Sequence, residues 1–300
     1  MDDDAFFEQL RSICSDAVDA YRKEYPDAPP LTDSLLQSSD GPLASEADLH
    51  ERFDELTRFY DDLLDVDSTP YREMWREHLV YDCSRRERLA LLTSDLPASL
   101  TLVFIGGRYS ARTGRIGVSP GQLPETTAYT YLASELCHAY QHQFDSPTWK
   151  HPYLQEGFEQ AVSVRTQAHF ATELQYDFLT HLAERQHTKT LLEGVLAHGT
   201  RRGGITPTAV RELGVTDEEL AALRSHRLWR PLGYLRPRYL WSDVAFLPEY
   251  ALFGSLLLVS ETADVSAPYA RAFHGNHPWT SAIDEITAST PGWLWRLYHQ

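Results

Sequence analysis

The chain has 300 residues, 42% of them hydrophobic and 12% aromatic, which is ample for one large core or two smaller ones. Its formal charge of −16 sits mostly at the front: residues 1–100 carry 24 acidic and 10 basic side chains, and residues 101–300 carry 19 and 17. A field of that sign repels phosphate backbones and anionic headgroups, so neither nucleic acid nor a membrane surface is the expected partner.

The N-terminus, "MDDDAFFEQL", is acidic where a secretory leader is basic, and no apolar run follows it. Cys14, Cys83 and Cys137 are odd in number and widely spaced, which fits reduced thiols in a cytoplasm better than a disulfide framework. Residues 3–24 and 45–94 read as helical, with Phe6, Leu10, Ile13 and Val18 in the first and Phe53, Leu56, Phe59, Tyr60 and Leu63 in the second at three-to-four spacing. Ser45-Glu46-Ala47-Asp48 resembles a helix N-terminus with acids in its first turn. The run "DDLLDVD" lacks the glycine and terminal glutamate of a calcium loop and reads as an exposed helix end.

The pattern changes at Leu100. "LTLVFIGG" and "GRIGVSP" are short β-rich runs joined by "RYSARTG", which predicts a hairpin. Pro124 and Glu125 then open a helix holding "TYLASELCHAYQHQ" at 130–143. A second long helix is expected from about Leu154 to Arg185, with Phe158, Ala161, Val162, Leu174, Phe178 and Leu182 facing inward. "ALFGSLLLVS" at 251–260 is about half the length needed to cross a bilayer and reads as a buried helix, so no membrane span is expected. The predicted fold is α+β and predominantly α-helical, in three regions: an acidic helical region at 1–99, a core with a small hairpin or sheet beside the motif helix at 100–200, and a helical region at 201–300 packed on that core.

Chemistry concentrates in the motif helix. The zinc signature H-E-x-x-H sets two histidines four apart on one helix face, with a glutamate that polarises water beside the first. Here the register reads Ser134-Glu135-Leu136-Cys137-His138, so a serine stands at the first ligand position. One turn on, His138 and His142 form another i, i+4 pair, without an adjacent glutamate. A short loop after this helix would let the next one fold back and bring Glu156, in "YLQEGFEQAV", near His138.

"GGRYSARTGRIGVSPGQLPETTAYTYLASELCHAYQHQF", followed by "EGFEQAV", resembles the gluzincin metallopeptidases. It is most similar to an archaeal and bacterial group that reads G-x-Y-x-x-x-T-G-x-I-x-V, then H-E-L-x-H-A-L-Q-D-Q, then E-G. "FLPEYALFGSLLLV" and "HPWTSAIDEI" resemble that group's later segments more loosely, so the resemblance spans roughly residues 101–288. It implies a zincin-like core, a zinc cofactor and a peptide or protein ligand that pairs with an edge strand beside the metal. Glu135 falls on the general base, His138 on the second zinc ligand and Glu156 on the third.

Two departures matter. Ser134 replaces the first zinc histidine, and a hydroxyl grips zinc poorly at neutral pH. His142 replaces an aspartate. As a substitute ligand it would draw the metal about 3 Å along the helix, away from Glu135, which must stay within about 3 Å of the proton it takes. The leading expectation is therefore a gluzincin-type protein with a degraded zinc site, catalytically impaired and kept for binding or regulation. The alternative is a working zinc metallopeptidase in which His142, His151 or a water completes the set. A third reading is a scaffold with no metal, in which Glu135 and Glu156 are buried acids hydrogen-bonded to His138. Cys137 reads as an ordinary buried thiol. Tyr250 and His274 are candidates for a donor to a tetrahedral oxyanion. Oligomeric state is not legible.

Overall fold

The computed structural model describes residues 3–28, 31, 43–81, 107–118, 124–150, 152–174, 177–201, 207–218, 248–260 and 266–287. Helix α1 (Asp3–Glu24) buries Phe6, Leu10, Cys14, Val18 and Tyr21, one stripe at three-to-four spacing. Helix α2 (Glu46–Leu64) starts at a reciprocal cap. Ser45 Oγ accepts from the Asp48 N–H at 3.2 Å, and the Asp48 carboxylate accepts from the Ser45 N–H at 2.9 Å. A cap of this kind stabilises a helix by about 1 kcal/mol. The buried face of α2 holds Phe53, Leu56, Tyr60 and Leu63, and its end is fixed by Asp65 in the left-handed region.

Helix α3 (Thr69–Glu77) ends earlier than its helical spacing suggests, because the chain turns into strand β1 (Leu79–Tyr81). This corrects the expectation of helix through the whole of 45–94; residues 82–94 lie outside the described range. Strand β2 (Gly107–Ser110) and strand β3 (Arg115–Val118) form the expected hairpin, with Arg108, Tyr109 and Ser110 in the strand rather than in the turn. The sheet order is β1-β3-β2, with β1 parallel and β2 antiparallel to β3.

The Ile116 N–H donates to the His78 carbonyl at 3.2 Å, on the β1 side of β3. Tyr109, paired with Ile116, is therefore in a position that does not hydrogen-bond to β3, and its own N–H points out of the sheet edge.

Helix α4 (Glu125–Gln143) is the motif helix and starts where Pro124 predicts. It lies across β2 and β3 and packs on α2 and on helix α5 (Pro152–Leu174). Between α4 and α5 the chain reverses at Asp145, whose φ is 50°, and passes through a 3-10 turn at Pro147–Trp149. The helical run expected from Leu154 to Arg185 is two helices, α5 and then α6 (Asp177–Arg201). Phe158, Ala161, Val162 and Leu182 are buried as expected, Leu174 is half-buried against the core, and the side chain of Phe178 lies outside the description. A short α7 (Pro207–Glu212) follows, then α8 (Pro248–Val259), α9 (Ala267–Phe273) and α10 (Pro278–Thr287).

Among the described residues the fold is predominantly helical with one small three-stranded sheet. Helix α8, apolar in its middle apart from the buried Ser255, packs against both α5 and α6, and α1 covers α6. At Gly254 the helices touch closely: a Cβ there would sit 2.9 Å from the Gly157 carbonyl oxygen and 3.3 Å from Thr190 Cγ2. One cluster of buried apolar side chains runs from Phe6 to Ile283. Among the described residues no helix is long and apolar enough to cross a membrane.

Asp61, in "DDLLDVD", is not the exposed acid that its run suggests. It pairs with Arg72, accepts from the Ser68 N–H at 3.2 Å, and accepts from Tyr140 Oη at 2.7 Å. The phenol of Tyr60 donates to the Ala133 carbonyl at 2.9 Å. These bonds and the Trp75–Tyr140 ring contact, 4.9 Å between centroids, fix α4 against α2 and α3.

Candidate functional site

Glu135, His138 and His142 recur at i, i+3 and i+7 on α4, and so lie along one stripe of it. Glu135 and His138 are 5% and 4% exposed, so each polar atom needs a partner inside the protein. Ser134 is half-buried.

The Glu135 carboxylate meets the edge of the sheet. The outward N–H of Tyr109 donates to Glu135 Oε2 at 2.5 Å. Gly107, two residues earlier on β2, allows this approach, since a Cβ there would lie 3.0 Å from Glu135 Oε1 and 3.1 Å from Glu135 Cγ. The same Tyr109 reaches His142 with its side chain, and its hydroxyl and His142 Nδ1 share a hydrogen bond of 2.8 Å. Burial raises the Tyr109 phenol and lowers the His142 imidazole, the latter opposed by the Asp145 carboxylate, so both are favoured in the neutral form. Trp149 stands over the pair, 5.2 Å from the His142 ring centre and 6.1 Å from that of Tyr109.

His138 faces the other way, toward α5. Its Nδ1 lies 2.8 Å from Gln141 Oε1, and its Nε2 lies 3.7 Å from Glu156 Oε1. The amide of Gln141 is anchored through its nitrogen, which donates to Thr148 Oγ1 at 3.0 Å and to the Gln155 carbonyl at 3.1 Å. The reversal at Asp145 and the 3-10 turn thus bring Glu156 to His138, as the short connection predicts. Cys137 lies fully inside; burial and the carboxylates of Glu159, Glu156 and Glu135 hold its thiol well above the usual range, so it is inert as a nucleophile at neutral pH.

The remaining candidates lie elsewhere. His274 caps the end of α9, and its Nε2 donates to the Leu64 carbonyl at 3.0 Å, on the last turn of α2. Tyr250 falls in the first turn of α8, and its side chain lies outside the description, as does His151 altogether. Tyr109, Gln141, Gln155 and Trp149 are the site residues that the motif alone does not reveal. Strand alternation sets Gly107 and Tyr109 on one face of β2, which was the available signal for two contacts to the motif helix.

The donor set can be tested against zinc. Two ligands about 2.1 Å from a tetrahedral ion stand about 3.4 Å apart, and His138 Nε2 and Glu156 Oε1 are 3.7 Å apart. That pair matches two corners. His142 is bonded through Nδ1 to Tyr109, and Ser134 stands at the sequence position of the first histidine in the H-E-x-x-H signature. Among the described residues no three His, Cys, Asp or Glu side chains are arranged to hold a metal ion. One nitrogen and one carboxylate do not fit a three-ligand zinc centre.

No family model, curated protein or solved structure matches the chain.

Proposed function

We propose that the chain is a zincin-like protein of gluzincin type whose hydrolytic centre has become a polar clasp, and that it binds a peptide or protein ligand in a regulatory role rather than cleaving it. The observation that carries this reading is the Tyr109 N–H seated on the Glu135 carboxylate at 2.5 Å. A general base must offer its carboxylate to a water held beside the reacting atom. Here it is held by the backbone of β2.

Support also comes from position. The hairpin, the motif helix and the returning helix follow in the order the resemblance implies, and Glu135, His138 and Glu156 come within one small region. Ser134 withdraws one zinc ligand, and among the described residues no three His, Cys, Asp or Glu side chains are arranged to hold a metal ion. The working-metallopeptidase reading therefore has less support than the impaired one.

Metal analysis of the purified chain, dialysed after exposure to zinc, tests this reading with Glu156→Ala as control. Expected is zinc well below one per chain and unchanged in the variant. Zinc near one per chain that disappears with Glu156→Ala would overturn it.

A further inference from the structure

We infer that the end of α9 is a latch on the site: a one-way chain of buried hydrogen bonds joins the carbonyl of its last residue to the residue before Glu156, so that α9 and the α4–α5 reversal open as one unit. This goes beyond the proposed function and does not depend on it.

Backbone carbonyls, which can only accept, stand at both ends of the chain. The Phe273 carbonyl takes the single hydrogen of the Ser146 hydroxyl, with Oγ 2.5 Å away. Ser146 Oγ is then the acceptor toward Thr148 Oγ1 at 2.8 Å, and it also accepts the Thr148 N–H at 3.2 Å. Having given its hydrogen to Ser146, the Thr148 hydroxyl accepts from Gln141 Nε2 at 3.0 Å. The second hydrogen of that amide goes to the Gln155 carbonyl at 3.1 Å. Both hydroxyl hydrogens therefore point toward α9. Gln141 and Thr148 are 0% exposed and Ser146 is 3% exposed, so none of them has bulk water as an alternative partner.

Bonds in such a chain polarise one another, and a break at any link leaves a buried polar group short of a partner. The links lie on four elements: Gln141 on α4, Ser146 and Thr148 in the 3-10 turn, Gln155 on α5 and Phe273 on α9. Packing follows the same path, since the Phe273 ring centre is 6.1 Å from that of Phe144 after α4 and 5.9 Å from that of Phe158 on α5. Lifting α9 from this seat takes the acceptor from Ser146 and loosens the turn that leads to Gln155 and Glu156. The placement of Glu156, 3.7 Å from His138 Nε2, is thereby tied to α9.

Native-state hydrogen exchange of the full chain, followed residue by residue by NMR, tests this. The Ser146 N–H, bonded to the Gln141 carbonyl at 2.9 Å, reports the reversal, and the His274 N–H, bonded to the Ala270 carbonyl at 3.0 Å, reports α9. The Leu256 N–H, within α8, is the reference. Expected in the wild type are equal opening constants for Ser146 and His274. Thr148→Val keeps the side-chain shape and cuts the chain in its middle while leaving the Ser146–Phe273 bond in place. It should raise the openings of Ser146 and His274 together, about tenfold relative to that of Leu256. Exchange of His274 through openings that leave Ser146 protected in the wild type, or an unchanged ratio of His274 to Leu256 in a folded Thr148→Val, would overturn the inference. Where that variant fails to fold, the wild-type comparison decides.

Discussion

The backbone N–H of Tyr109 leaves the sheet edge and ends on the carboxylate of Glu135, so the residue at the general-base position is also the one that fastens the hairpin to the motif helix. A carboxylate kept only for catalysis is commonly a burden on folding, and its removal is neutral or stabilising. Here the opposite is expected. Glu135→Ala should lower stability by about 1–3 kcal/mol, because a buried N–H loses its charged acceptor. Glu135→Gln, which retains an acceptor, should cost less. Urea midpoints of the three proteins check this, and a more stable Glu135→Ala would contradict it.

The same reasoning applies where α4 meets α2. Tyr140 Oη donates to Asp61, which is also paired with Arg72. Tyr140→Phe removes one buried hydroxyl and leaves Asp61 to Arg72 and Ser68, so a loss of about 1 kcal/mol is expected. Asp61→Ala also removes the carboxylate from Arg72 and from the Ser68 N–H, while Tyr140 Oη keeps the Thr57 carbonyl and Ser68 Oγ, so a larger loss of about 2 kcal/mol is expected. Equal losses in the two variants would show that Asp61 is not the centre of this network.

Gly254→Ala places a methyl group 2.9 Å from a backbone oxygen of α5, which cannot move as a side chain can. Overpacking of about 1–3 kcal/mol should outweigh the gain of up to about 1 kcal/mol in helix propensity. The melting temperature is expected to fall by about 3 °C or more. A rise would mean that α5 and α8 are not in the contact described.

Much of this architecture is legible in the chain itself. The Ser45 cap, the Pro124 start of the motif helix, the hairpin and the buried helix at 251–260 all rest on local rules of capping, turn chemistry and periodicity. What fails is non-local. Leu79, Val80 and Tyr81 continue a helical spacing, yet become a strand because they pair with Ile116, Gly117 and Val118. Asp61 looks exposed in an acidic run because its partner Tyr140 lies 79 residues away. The site shows the same division. The spacing of Glu135, His138 and His142 is visible in sequence, whereas their partners Tyr109 and Gln141 are fixed by where the hairpin and the returning helix come to rest.

Acid should loosen the C-terminal end. His277 is 4% exposed, its Nδ1 accepts from the Trp279 N–H at 3.3 Å, and burial together with Arg271 pushes its imidazole down from 6.5 to about 4. A pKa depressed on folding favours the neutral ring, so this contribution is complete above about pH 6.5 and is lost as pH falls through 4. Over that interval roughly 3 kcal/mol is at stake. Denaturant midpoints at about pH 7.5 and about pH 4.5 should differ more in the wild type than in His277→Gln. Identical differences would remove His277 from the account.

The most direct test of the central claim compares the wild type with Ser134→His in zinc, on a mixture of unstructured peptides, with cleavage products followed by mass spectrometry. Expected are no cleavage by the wild type above a no-protein control, and tighter zinc binding by Ser134→His through the added imidazole. Cleavage by the wild type at the rate of the restored variant would contradict it.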